Sequence, residues 1–136
     1  MKNLLLALCL SAFSLSCLAA PVVIANPAGP DALSKAEVKK LFLGKLKKLP
    51  NGKAPVVIEY NEGDPLRVAF HDVATGKSEA QLQAYWSKLI FTGKAKPPKT
   101  AASASVAVSE VAGNADAIAY VDEADVTDAV KVVFTP

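Results

Sequence analysis

The chain has 136 residues, 51% of them hydrophobic, and a formal net charge of +2. So small a charge gives no electrostatic reason to expect nucleic-acid binding, and the length admits one ordinary domain with its own core but not two full lobes. The charge is unevenly spread: seven lysines face only Glu37 between Lys35 and Lys53, whereas six acids face only Lys131 from Glu110 onward. The simplest reading is two solvated faces.

The first residues read as an export signal. Lys2 supplies a positive start, Leu4 to Phe13 an apolar stretch, and Cys17-Leu18-Ala19 precede a small residue, the order that signal cleavage needs. A cut after Ala20 would place Pro21 beyond the scissile bond, so cleavage is expected between Ala19 and Ala20, leaving a single domain over 20–136. The apolar stretch is too short to span a bilayer, which takes about 20 residues, so no membrane insertion is expected after cleavage. Both cysteines, Cys9 and Cys17, fall inside the signal. The mature chain therefore has no thiol for a disulfide, a metal site or a nucleophile, which agrees with a bacterial periplasm. A second reading takes Ser14 to Cys17 as a lipoprotein box that lipidates Cys17; it is the weaker, because Ser stands where Leu is usual.

Val22 to Ala25 is a short β-branched run ended by Asn26-Pro27 and reads as a buried strand. Ser34 lies three residues before Glu37, the spacing of a capping box, and predicts a helix with Val38, Leu41 and Phe42 on its apolar face and Gly44 at its end. The basic stretch Lys45 to Lys53 turns at Pro50-Asn51-Gly52. Val56 to Tyr60 is the second strand. Asp64 as N-cap and Pro65 at the first position start the next helix, for which Ala69, Phe70, Val73 and Ala74 form the expected stripe and Gly76 the end.

Ser78 and Gln81 repeat the capping spacing and open a helix whose Leu82, Tyr85, Trp86, Leu89 and Ile90 share one face. Trp86 is expected in the core. Lys94 to Lys99, with two prolines, reads as a loop, and Ser103 to Ala112 as a helix presenting Val108, Val111 and Ala112. Ala117 to Val121 and Val130 to Phe134 are the third and fourth strands, separated by a turn at Asp122 to Asp125. The order β-α-β-α-α-α-β-β with nearly continuous apolar strands predicts an α/β domain, a sheet of about four strands flanked by helices.

Catalytic chemistry lacks parts. The single histidine, His71, and its neighbour Asp72 do not face each other on a helix, and no second histidine, cysteine or nucleophile elbow completes a triad or metal set. No catalytic residue, metal ligand or cofactor is therefore assigned. A strand running through a glycine turn into a helix N-terminus can hold an anion with backbone N–H groups, which makes Tyr60, Asn61, Gly63 and Asp64 candidate binding residues. Arg67, the sole arginine, could add a bidentate contact to an oxyanion or carboxylate; the competing reading is a salt bridge to Asp64 at i, i+3. Tyr60 equally reads as a residue packing at the sheet end.

At this turn the sequence also resembles a family. Leu33 to Val38 through Leu41-Phe42-Leu43-Gly44-Lys45, then Pro55 to Tyr60, Glu62-Gly63 through Arg67 and Phe70, Tyr85-Trp86 and Ala117 to Val121 are similar, in order, to landmarks of the phosphate-binding proteins of ABC transporters. The resemblance implies one lobe of the type II periplasmic binding protein fold, in proteins about twice as long that clamp ligand between two lobes. It also marks a departure. The family's turn resembles Arg-Ser-Asp-Gly-Ser-Gly-Thr, whose Arg and Ser-Gly-Thr contact phosphate, whereas this chain has Tyr60-Asn61-Glu62-Gly63-Asp64-Pro65-Leu66.

The expected function is thus an exported, non-enzymatic binder of phosphate or another small solute, weak by itself, which completes its cleft by self-association or by docking on a transporter or sensor. The alternative is a lobe that has lost its ligand and serves as an interaction or accessory module.

Overall fold

The computed structural model describes residues 20–136; the expected signal, with Cys9 and Cys17, lies outside the described residues. Five strands form one open sheet in the order β3-β2-β4-β1-β5. They are β1 (Pro21–Ala25), β2 (Val56–Tyr60), β3 (Lys99–Ala101), β4 (Ala117–Asp122) and β5 (Lys131–Phe134). Four helices flank it: α1 (Lys35–Phe42), α2 (Pro65–Ala74), α3 (Glu79–Phe91) and α4 (Ala104–Ala112). β2 pairs in parallel with β3 and β4, which requires helical crossovers, and α2, α3 and α4 supply them. β1 is inserted antiparallel between β4 and β5.

Local chemistry sets these elements as the residues dictate. Ser34 and Glu37 close a reciprocal capping box on α1, Ser78 and Gln81 do the same on α3, and Asp64 caps α2 with Pro65 behind it. Every residue of β4 from Ala117 to Val121 is buried, so helices cover both faces of this central strand, the condition under which strands lose polar alternation. Asn26, just past β1, donates to Val111 O at 3.0 Å and Ala112 O at 2.9 Å. That side chain satisfies the last carbonyls of α4 and ties the helix to the sheet.

The core centres on aromatic rings. Phe70 stacks on Tyr120 with centroids 3.9 Å apart and an 11° interplanar angle, and Phe42 meets Phe70 edge-on at 4.8 Å and 71°. The T-shaped contact suits the ring quadrupoles.

Three expectations are corrected. The sheet has five strands because Lys99–Ala101, read as the end of a loop, pairs with Ile58–Tyr60; three mostly exposed residues carry no apolar run that would announce a strand. On α2 the inward face is Arg67, Phe70, His71 and Ala74, while Val73 is 44% exposed. The stripe follows the i, i+3, i+4, i+7 spacing, but two of its members are polar, so hydrophobicity alone selects the wrong neighbours. On α3 only Leu82 is buried, Ile90 is 46% exposed and Phe91 92% exposed. This helix has few close contacts with any other element, and its apolar side chains form walls rather than core. One close approach fixes it: a Cβ on Gly44, whose φ is 70°, would fall 2.9 Å from the Trp86 ring, so α3 seats Trp86 against the backbone that ends α1.

Candidate functional site

β2 and β4 are adjacent, yet the chain leaves their carboxyl ends toward opposite edges of the sheet, to β3 and to β5. Crevices at such switch points are where open α/β sheets place ligands. Beside this point, at the carboxyl end of β2, lies an open cleft of about 530 Å³ lined by Tyr60, Asn61, Arg67, Gln83, Trp86 and Pro97 among others.

The turn leading into α2 takes the form expected from Gly63, which has φ 80°, but part of its donor set is committed. Asp64 N–H bonds Asn61 O at 3.1 Å, Leu66 N–H bonds Asp64 Oδ1 at 2.9 Å, and Pro65 has no N–H. An anion at this turn would compete with the helix's own cap. Asn61, Glu62 and Gly63 are exposed.

Arg67 is 8% exposed and does not pair with Asp64. Its Nε donates to both Glu79 oxygens at 3.1 and 3.2 Å, its Nη1 donates to Tyr60 O at 3.2 Å, and Nη1 lies 3.9 Å from Glu59. Asp64 is occupied as a cap, whereas Arg67 on the inward face of α2 reaches between β2 and the first turn of α3. Nη2 is the nitrogen without a hydrogen bond among the described residues, on a side chain that lines the cleft.

Behind Arg67 lies a buried polar network that the sequence reading missed. Glu59, 2% exposed, accepts from the Tyr120 hydroxyl and contacts His71 Nε2 at 2.7 Å. The His71 Nδ1 meets Thr75 Oγ1 at 3.0 Å, and that hydroxyl donates to His71 O. The Thr75 hydroxyl thus sits between the His71 ring and the His71 carbonyl, and both ring nitrogens have a polar partner. A carboxylate, an imidazole and a hydroxyl in this order parallel a hydrolytic triad, but His71 is fully buried and Thr75 4% exposed. The arrangement holds α2 to the sheet and offers no reacting atom to a substrate. One signal was available in sequence: an acid within the apolar run Val56-Val57-Ile58-Glu59-Tyr60 must find a partner if the strand is buried.

Tyr60 packs at the sheet end, its ring 5.3 Å from that of Tyr120, and its buried hydroxyl has no hydrogen-bond partner among the described residues. Burial, then the carboxylates of Asp64, Asp125 and Glu59, push the Tyr60 phenol up to about 12. Burial and the Glu59 carboxylate also push Tyr120 upward. The same acids make this end of the sheet unfavourable for an oxyanion.

A pH dependence follows. Unfolded tyrosine releases its proton near pH 10, whereas folded Tyr60 holds it to about 12. Its contribution to stability is complete below about pH 10 and lost as pH rises toward 12. The phenolate absorbance of Tyr60 and Tyr120 should therefore appear together with loss of the folded circular-dichroism signal. Reversible ionisation of all three tyrosines near pH 10 in a still-folded chain would contradict the burial of Tyr60 and Tyr120.

Among the described residues no group of three or more His, Cys, Asp or Glu side chains could hold a metal ion, and no helix is long and apolar enough to cross a membrane.

No model of a known protein family matches the sequence, and no curated protein matches it. Solved structures do. An ABC-type phosphate transport receptor from Vibrio cholerae superposes with a TM-score of 0.67 at 16% identity over 85% of this chain and 46% of its own. A protein assigned to the phosphate ABC transporter substrate-binding proteins, from Clostridium perfringens and solved with bound phosphate, gives 0.67 at 20% identity over 85% and 44%. A phosphate-binding-type structure from Planctomyces limnophilus gives 0.60 at 16% over 79% and 37%. The α/β fold is therefore that of one lobe of a periplasmic-binding-protein-like architecture. The chain spans less than half the length of each of these neighbours.

Proposed function

We propose that this chain is an exported solute-binding lobe whose cleft at the carboxyl end of β2 takes a small organic solute rather than inorganic phosphate. The observation that carries the reading is the state of Arg67: its guanidinium lies between the carboxylates of Glu79 and Glu59, so it brings a hydrogen-bond donor to the cleft but little uncompensated charge. Asn61, Gln83, Ser87 and Thr100 add polar groups, and Trp86, Ile90 and Pro97 add apolar walls. A volume of about 530 Å³ falls in the range of organic-ligand pockets, roughly 300–1,000 Å³.

Two further features support the assignment. The neighbouring structures are named for phosphate binding and transport, which favours a binding role for the fold. For export, Ala20 N lies 3.3 Å from Asp122 Oδ2 and Ala20 O accepts from Glu123 N–H at 2.9 Å. Cleavage after Ala19 would free an ammonium group beside a carboxylate.

Trp86, the single tryptophan, reports on the cleft. Its emission should shift saturably with one or more members of a panel of small aliphatic and aromatic carboxamides, and Gln83→Ala and Ser87→Ala should weaken that response. Inorganic phosphate at millimolar concentration should leave emission and melting temperature unchanged. Bound solute at 100 times its dissociation constant would stabilise the fold by about 2.7 kcal/mol. Saturable micromolar phosphate binding, or a panel without effect, would sink the proposal.

A further inference from the structure

A second concavity, of about 420 Å³, lies on the other side of the Trp86 and Pro97-Pro98 wall, at the amino end of β2. Its floor is Leu41, Leu46, Val56, Val57 and Trp86, and Lys47, Lys96 and Lys99 line it with no acid among the lining residues. Two segments distant in sequence build the rim. Residues 45–55 and 94–99 together carry seven lysines and no acid. Lys47 donates to Gly44 O at 3.0 Å and Lys99 pairs with Glu110 at 2.7 Å, while Lys45, Lys48, Lys53, Lys94 and Lys96 have no ion-pair partner among the described residues. Asp122 ends β4 and Glu123 and Asp125 follow it; because β4 runs parallel to β2, these three acids lie at the opposite end of the sheet.

Basic residues around an apolar floor are more than a solvated face, because the fold converges them on one groove. We propose that this groove docks an acidic protein segment that places an aliphatic or aromatic side chain on Trp86, Leu46 and Val57 and its carboxylates against the lysine rim. Charge complementarity selects the occupant: an acidic chain matches a groove whose lining carries lysines and no acid. Shape argues for an inserted side chain rather than a flat lipid surface, since the apolar atoms line a concavity. The groove is distinct from the solute cleft, and the inference does not depend on the solute reading.

The test uses the purified protein and a short fluorescein-labelled peptide of glutamates and aspartates around a Leu-Phe pair. Saturable binding is expected, weakened about tenfold by the double variant Lys47→Glu, Lys96→Glu, since reversing exposed charges removes a few weak ion pairs. The double variant Lys35→Glu, Lys39→Glu changes net charge equally but involves residues outside the groove lining and should bind normally. Replacing Leu-Phe by serines should abolish binding. Both lysine pairs are exposed, and circular dichroism confirms that the variants fold. No binding, equal weakening by both pairs, or full binding of the serine peptide would overturn the proposal. So would preferential binding to phosphatidylglycerol vesicles, or self-association by light scattering that the Lys47, Lys96 variant abolishes.

Discussion

Replacing Glu59 by Ala should destabilise the fold by about 3–5 kcal/mol, the cost typical of removing one partner from a buried ionic cluster. The carboxylate accepts from the Tyr120 hydroxyl, contacts His71 Nε2 at 2.7 Å and lies 3.9 Å from Arg67. Its loss strands the Tyr120 hydroxyl and His71 Nε2, both on fully buried residues, and removes one of the two carboxylates beside Arg67; each buried donor without an acceptor costs about 1–3 kcal/mol. Domains of this size are stable by only about 5–15 kcal/mol, so the urea midpoint should fall by a large part of its value. Glu59→Gln keeps the shape and part of the hydrogen bonding and should cost less. A Glu59→Ala loss below about 1 kcal/mol would show that the network contributes little to holding α2 on β2.

The same network explains what the sequence could convey. Capping boxes at Ser34 and Ser78, the Asp64-Pro65 helix start and the apolar run Ala117 to Val121 are local signals, and each element stands where its residues place it. Strand Lys99–Ala101 was not legible, because its pairing partner lies some forty residues earlier and nothing within the three residues compensates. The order β3-β2-β4-β1-β5 is likewise a property of crossovers and not of any one segment.

For the site, Tyr60, Asn61 and Arg67 are brought together at one cleft. Gly63 and Asp64 shape the turn beside it, outside the cleft lining, and form the cap of α2. The partners of Arg67 were not legible: Glu59 is eight positions before it and Glu79 twelve after, and neither spacing belongs to a helix or strand rule. Trp86 reads as core from its helical spacing but forms a cleft wall, because α3 has few close contacts with any other element. Periodicity reports that a face is apolar; whether anything covers that face is a tertiary fact.

The second large effect separates those two statements on a single helix. Phe70→Ala should cost about 3–5 kcal/mol, the range for truncating a buried aromatic residue, because Phe70 is fully buried and stacked on Tyr120 while meeting Phe42 edge-on. The cavity opens at the junction of α1, α2 and β4, where rigid rings cannot collapse to fill it. Val73→Ala lies one turn further along the stripe that hydrophobicity selects, yet Val73 is 44% exposed, and substitutions at such sites stay within about 0.5 kcal/mol. Chemical denaturation of the two variants, read by circular dichroism, should therefore give changes that differ several-fold. Comparable losses would place Val73 in the core and reverse the orientation of α2, and with it the inward placement of Arg67 and His71 from which the buried network and the cleft are built.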